Sequence, residues 1–303
     1  MKKILISGLV NTETTVKVRR FPIPYYPIDY PFFGVNTAVS GVAYNIACAL
    51  RILGDEVSLL SLTGADFPAA YIRQKLRDAG VDPSHLKPEL KETPNSVVLY
   101  DEDGNRQIYC DLKDIQEAAY GFPEDLCRDF DLIVACNTNF NRALLPLARA
   151  AGKPIATDVH VLSNIWDEYN REFMAYADIL FLSDEGIGED YRGFLLELAG
   201  TYGNRIIVLG RGSKGAAMYV KDQDRIFELP AVNAGPVVNT VGAGDALFSG
   251  FLHCYAKGLT PLECLIRAQW FAAAKIRVSG ASKGFVTEEE LGTLMNSRQE
   301  VIL

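Results

Sequence analysis

Residues 239–252 read NTVGAGDALFSGFL: two glycines one residue apart, an aspartate, then an apolar run. Leu247, Phe251 and Cys254 recur at helical spacing, and Gly258 ends the pattern. The next stretch opens a second helix, with Thr260 as cap, Pro261 in the first turn and Glu263 completing a capping box. The spacing therefore predicts a helix from about Ala243 to Lys257 with VGAG as its mouth. The amides of Gly242, Ala243 and Gly244 should be orphan donors at a positive dipole end, open to close approach by an anion. Asp245 sits beside them. Helix physics leaves two roles open for it: complementing the dipole, or accepting a proton from a hydroxyl that attacks a phosphoryl group.

Outward from this stretch, short apolar runs alternate with helix-period segments. KKILISGLV, EVSLLSLTG, DLIVACNT, KPIATDVH, DILFLSD and NRIIVLGRG suit strands covered on both faces. In NIACALRILG, Ile46, Ala49, Leu50 and Leu53 mark one helix face before Gly54, and FPAAYIRQKLRDAG ends likewise at Gly80. The order argues for an α/β fold with an open, mostly parallel sheet between helices. Two regions break the rhythm. Residues 12–37 carry four prolines and clustered aromatics, and 95–112 read as two strands joined by a D-G turn. Both are expected to form a small β lid on one domain spanning 1–303.

Composition narrows the function. The chain has 303 residues, 49% of them hydrophobic, enough to bury a large core. Its net charge of −8, without a long basic run, disfavours nucleic acid or an anionic membrane as partner. Cys48, Cys110, Cys127, Cys136, Cys254 and Cys264 form no C-x-x-C pair, and His85, His160 and His253 are scattered, so a zinc site is not expected. Cys48 and Cys254 fall on apolar stripes, which fits buried thiols in a reducing cytoplasm. MKKILISGLV is read as a buried strand, since polar NTETT follows where a signal cleavage site would stand.

GRGSKG at 210–215 matches a dinucleotide fingerprint by letter, but AAMYVKD after it reads as a strand where that motif needs a helix. A strand–turn–strand ribbon is expected instead. No G-x-x-x-x-G-K-[ST] occurs.

NTVGAGDALFSGFL closely resembles the C-terminal signature of ribokinase-like carbohydrate kinases, the PfkB family. SGVAYNIACALRILG at 40–54 looks like its N-terminal signature, ISGLVNTE at 6–13 like its first strand, VLGRGSKGA at 208–216 like the turn before the nucleotide, and SGASKGFVT at 279–287 like its closing segment. The resemblance covers the whole chain in order. It implies a doubly wound α/β domain with a β lid, and transfer of the γ-phosphate of ATP, with Mg2+, to a hydroxymethyl group. Position by position, it makes Asp245 the base and Gly242, Ala243 and Gly244 the anion hole. It places Asn11, Glu13, Gly41 and Asn45 on substrate hydroxyls, and Ser183, Gly210, Gly212 and Gly215 on the nucleotide side. Arg106, in the D-G-N-R turn, is a candidate for reaching the substrate on closure.

The chain also departs from the family. Asn239 replaces an aspartate linked to a monovalent-cation site, which leaves potassium activation in doubt. Ser40 replaces the first glycine of the N-terminal pair. Ser183 and Gly186 fall on the segment that organises magnesium waters, where Asp184 or Glu185 could act instead. Three functions follow: a sugar kinase; a nucleoside kinase, if Tyr25, Tyr26, Tyr30, Phe32 and Phe33 stack a base; or a non-catalytic ligand sensor. In this family protruding lid strands often pair two subunits, so a homodimer through the lid is also expected.

Overall fold

The computed structural model describes residues 1–299. The chain begins β1 (Lys3–Ser7), β2 (Asn11–Lys17), β3 (Val35–Ser40), α1 (Val42–Ile52), β4 (Glu56–Leu62), α2 (Phe67–Asp78), β5 (Leu86–Lys87), β6 (Asn95–Tyr100) and β7 (Arg106–Asp111). It continues with β8 (Leu132–Ala135), α3 (Leu144–Ala150), β9 (Ile155–Val161), α4 (Arg171–Tyr176), β10 (Ile179–Ser183), α5 (Tyr191–Tyr202) and β11 (Ile206–Gly210). The last elements are β12 (Ala216–Val220), β13 (Arg225–Leu229), α6 (Ala243–Ala256), α7 (Pro261–Lys275) and α8 (Glu288–Gln299).

The six apolar runs form six strands of one nine-stranded sheet, in the order β13-β12-β11-β10-β9-β8-β1-β4-β5. Pairing is parallel from β5 to β11 and antiparallel through the β11-β12-β13 meander. Strand alternation divides the core. Ile4, Ile6, Val208 and Met218 face one layer with Ile46 and Leu50 of α1, Ile72 of α2, Phe248 and Phe251 of α6 and Leu265 of α7. Leu5, Ile133, Leu180 and Ile207 face the other, with Leu144 of α3, Phe173 of α4 and Leu195 of α5. Because both faces are covered, the strands can be apolar throughout.

α6 is the central helix. The expected stripe of Leu247, Phe251 and Cys254 understates its burial: Leu247 is only partly buried, while Ala246 and every residue from Phe248 to Cys254 are buried. The helix lies against α1 and α7 as well as the sheet, which leaves no broad polar face. Burying Phe248 and Phe251 contributes about 1.5–3 kcal/mol each.

A second sheet of four strands, β3-β2-β6-β7, is built from the two segments that broke the alternation. The proline-rich stretch between β2 and β3 is not strand; it is an excursion held by Arg19, whose guanidinium donates to Asp29 at 2.8 and 3.0 Å. The 206–220 segment is a strand–turn–strand ribbon, as its letters after GRGSKG require.

One expectation from the sequence shifts in register. β1 ends at Ser7, so Asn11 and Glu13 lie on β2 of the second sheet, not at the tip of the first strand. The chain leaves β1 toward β4 and β5 and returns to β8 on its other side, making a switch point between β1 and β8. There Asn141 Nδ2 donates to the Ser7 carbonyl at 2.7 Å and the Cys136 carbonyl at 2.8 Å, tying the two strand ends together.

Candidate active site

The mouth of α6 opens at the carboxyl ends of the parallel strands. Gly242 caps the helix with φ 78°, and a Cβ there would lie 2.5 Å from the Ala281 carbonyl oxygen. Only glycine fits that turn. The turn is closed by the Ala243 amide, which donates to the Thr240 carbonyl at 3.1 Å. Ala243 is therefore not an orphan donor, in contrast to the sequence-based expectation. Among the described residues the amides of Gly242, Gly244 and Asp245 have no acceptor, so Asp245 takes the place of Ala243 in the free set. At Gly244 a Cβ would meet nothing within 4 Å. That open space over three free amides fits a phosphate group.

Asp245 is partly buried in the first turn. Asn45, on α1, donates from Nδ2 to Asp245 Oδ2 at 2.7 Å. No other hydrogen bond reaches this carboxylate among the described residues, which leaves Oδ1 available. Burial raises the Asp245 pKa above the ordinary carboxylate value; the Asn45 hydrogen bond and the charges of His160 and Lys275 pull it back, while Asp158 pushes it further up.

Gly41 precedes α1 with φ 101°, its Cβ position 2.6 Å from the Leu9 carbonyl oxygen, so this glycine serves the entry of α1 beneath the site. Ser40, in place of the pair's first glycine, donates to Glu13 Oε2 at 3.3 Å. Asn11 Nδ2 donates to Ser96 Oγ at 3.2 Å. Strand register puts Glu13, Ser96 and Cys110 in one row across the second sheet. Burial raises the Glu13 pKa, and the Ser40 hydrogen bond opposes it. Two side-chain oxygens in this region, Asn11 Oδ1 and Asn45 Oδ1, are buried without a donor among the described residues. Each is an acceptor that an incoming hydroxyl would satisfy. Arg106 pairs with Tyr100 on the same face as Cys110, but four residues along β7, about 13 Å from the Glu13 row.

The nucleotide-side residues separate. Ser183 and Gly210 pair at the ends of β10 and β11, and Gly212 is open, with no atom within 4 Å of its Cβ position. Gly215 is different: its Cβ position is filled by the Leu229 carbonyl, so strand packing demands the glycine. A cavity of about 670 Å³ lies elsewhere, between the end of α7, residues 284–286 and α8, lined by Arg277, Phe285, Glu289 and Thr293 among others. None of Ser183, Gly210, Gly212 and Gly215 lines it. Its wall and the mouth of α6 share one segment, since Ala281 packs on Gly242.

For magnesium, no group of three His, Cys, Asp or Glu side chains is arranged to hold an ion among the described residues. Asp184 stands 3.9 Å from Lys214, and Ser183 Oγ accepts the Glu185 amide at 3.3 Å. Neither carboxylate joins a protein-built metal site. Two further residues belong near Asp245. Asp158 is buried in the middle of β9 and accepts the His160 amide at 2.8 Å, so its carboxylate serves its own strand and not a helix start. His160 takes a left-handed φ of 60°. From sequence Asp158 reads as a carboxylate near the strand edge where such sheets bind ligands, or as a helix cap, and no spacing marks His160.

No helix among the described residues is long and apolar enough to cross a membrane. The model of the pfkB family carbohydrate kinases matches residues 1–288. A nucleoside kinase of Methanocaldococcus jannaschii is 24% identical over 294 residues, covering 96% of each chain. A fructosamine kinase of Bacillus subtilis is 28% identical over 266 residues, 86% of this chain and 89% of the relative. Among solved structures, a microbiome-derived acarbose kinase shares the fold with TM-score 0.86 at 22% identity, over 98% of this chain and 99% of that one.

Proposed function

The chain belongs to the pfkB family of carbohydrate kinases, and from that premise we propose that it moves the γ-phosphoryl group of ATP to a hydroxymethyl group of a sugar or sugar-like substrate held between the second sheet and the mouth of α6. The observation that carries this reading is a single juxtaposition: an oriented carboxylate, Asp245, beside three amides without acceptors. ATP, which the kinases of this family use, supplies the phosphoryl group when bound.

The chain's own residues do the rest. Asn45 fixes Asp245 Oδ2, so Oδ1 takes the proton of the acceptor hydroxyl as its oxygen bonds to phosphorus and the bond to the ADP oxygen breaks. A sugar hydroxyl is too weak an acid to ionise first, and general-base help of this kind gives about 10²–10⁴-fold. The amides of Gly242, Gly244 and Asp245 meet the charge on the transferring group, a service whose loss per donor costs about 10²–10³-fold in comparable sites. The raised pKa of Asp245 moves it toward the proton it must take.

Asn11 Oδ1, Asn45 Oδ1 and Glu13 are acceptors facing a substrate rich in donors, which favours a polyhydroxy compound. The cavity against α8 is the space proposed for the base and ribose of ATP, since its wall continues into the segment that packs on Gly242. Mg2+ entering with ATP would be held by phosphate oxygens and water, the usual arrangement for that ion. The lid excursion exposes Tyr25 (89%) and Phe33 (99%), with Phe32 and Tyr30 beside them, and a second copy of the chain is the partner proposed for that apolar patch. Six unpaired cysteines, five of them buried, suit a reducing compartment such as the cytoplasm.

A coupled ADP-release assay with Mg-ATP over a panel of sugars, amino sugars and nucleosides tests the reading. Turnover of a sugar supports it; turnover of nucleosides alone moves the acceptor class to the base-stacking alternative. Ligand binding without turnover by any acceptor would leave a sensor.

A further inference from the structure

α7 ends in a buried charge. Lys275 is fully buried, and its ammonium donates to the carbonyl of Val241, inside the turn that opens α6. No carboxylate closes an ion pair on it among the described residues. Placing an ammonium in a core without a paired anion is costly. Burial lowers its pKa to about 8, while the negative charge of Asp245 acts to raise it.

What the ammonium holds is the anion-binding turn. The Val238 and Asn239 amides both donate to the Ile276 carbonyl, at 2.9 and 3.1 Å. Asn239 Oδ1 accepts the Val241 amide at 2.7 Å, so this neutral side chain is committed to the turn. Gly242 then rests on Ala281. The segment from 238 to 242 is thus clamped on the end of α7, and Lys275 is its only cationic contact among the described residues.

We propose that Lys275 is a positioning residue for phosphoryl transfer: its buried ammonium is a fixed internal cation that sets the 239–244 turn, so the enzyme needs no added monovalent cation. This rests on reading the mouth of α6 as the phosphoryl site. A cation from solvent would have to compete for the Val241 carbonyl against a covalently tethered charge and would meet it as a like charge. The same ammonium offsets the negative charge that gathers at Asp245 and the incoming phosphate.

The test compares wild type, Lys275→Met and Lys275→Arg with Mg-ATP and whichever panel acceptor is turned over, in KCl and in tetramethylammonium chloride at equal ionic strength. Wild-type kcat should change by less than about twofold between the two salts, since the cation is built in. Lys275→Met should lose about 100-fold in kcat with both KM values within about threefold, because the amides it positions serve the transition state. K+ should restore part of that loss, and Lys275→Arg should recover activity more fully. Hydrogen exchange on the proteins without substrate gives a second readout: faster exchange in Lys275→Met should be confined to amides of 238–246. Strong loss of wild-type activity on removing K+ would overturn the proposal, as would Lys275→Met with unchanged kcat and unchanged exchange. If no acceptor is turned over, the kinase reading fails, and the exchange experiment still decides whether Lys275 sets the turn.

Discussion

Asn45 and Asp245, 200 residues apart in the chain, meet at 2.7 Å where α1 crosses α6. The bond leaves one oxygen of Asp245 committed and the other free, and it leaves Asn45 Oδ1 buried and unsatisfied. Replacing Asn45 by Ala should lower kcat about 10–100-fold through lost orientation of the carboxylate. The acceptor KM should rise as well, because Asn45 Oδ1 no longer receives a hydroxyl. Steady-state kinetics on the variant separates the two effects.

Asp245→Asn should cut kcat by about 10²–10⁴-fold while ATP still binds. The same change should stabilise the fold at neutral pH. Burial raises the folded-state pKa above the unfolded one, so the stabilising influence of this group is complete below the unfolded pKa and is lost as pH rises through the folded one. At pH 7 wild type therefore carries a buried charge that Asn removes. Urea denaturation should show the variant more stable at pH 7, with the difference shrinking as pH falls toward the ordinary carboxylate pKa. In wild type, kcat/KM should drop on the acid side at a pH above that ordinary value.

Much of this was legible in local letters. The helix expected from Ala243 to Lys257 is observed over Ala243–Ala256, and Thr260 with Glu263 forms the capping box in both directions. Gly54 and Gly80 end their helices in left-handed conformation, as punctuation of that type implies. What stayed hidden depends on distant contacts. Lys275, the last residue of AAAK, looks like any lysine complementing a helix C-terminus; only the packing of residues 238–242 makes it a core charge. The Ala243 amide is consumed by Thr240 because the turn is tighter than a bare helix end, and helix rules alone count it free. Likewise the buried pair of His253 and Asp55, at 2.7 Å, joins residues 198 apart.

Two glycines in the motif should respond in opposite ways. Gly244→Ala places its methyl in open space at a helical residue, so stability should hold or rise by about 0.5–1 kcal/mol. Activity should nevertheless fall, because that space is the proposed approach of the phosphoryl group. Gly242→Ala meets the Ala281 carbonyl and a left-handed backbone, and should cost about 2 kcal/mol or more. Chemical denaturation alongside kcat checks both.

Glu13→Gln should raise the acceptor KM by about tenfold, with a smaller change in kcat, if the carboxylate holds substrate hydroxyls as proposed and does not touch phosphorus. Arg106→Ala should leave the KM of a small acceptor within about twofold, because Arg106 lies some 13 Å along the sheet from the Glu13 row. A long acceptor that spans the sheet would instead feel the loss of Arg106, which makes this pair of variants a ruler for substrate length.

Lys275→Met should separate function from stability. An ammonium and its desolvation are removed and one main-chain carbonyl is left unpaired, terms of opposite sign and similar size. The Tm should stay within about 2 °C of wild type, a shift worth about 1 kcal/mol or a little more at this size. Differential scanning calorimetry beside the kinetic comparison reads both.

The most direct test is a crystal structure with ADP, aluminium fluoride, Mg2+ and the acceptor found in the panel. The planar fluoride should sit within hydrogen-bond distance of the amides of Gly242, Gly244 and Asp245, with the acceptor hydroxyl between it and Asp245 Oδ1. A fluoride bound away from the mouth of α6, or an acceptor hydroxyl turned from Asp245, would contradict the account.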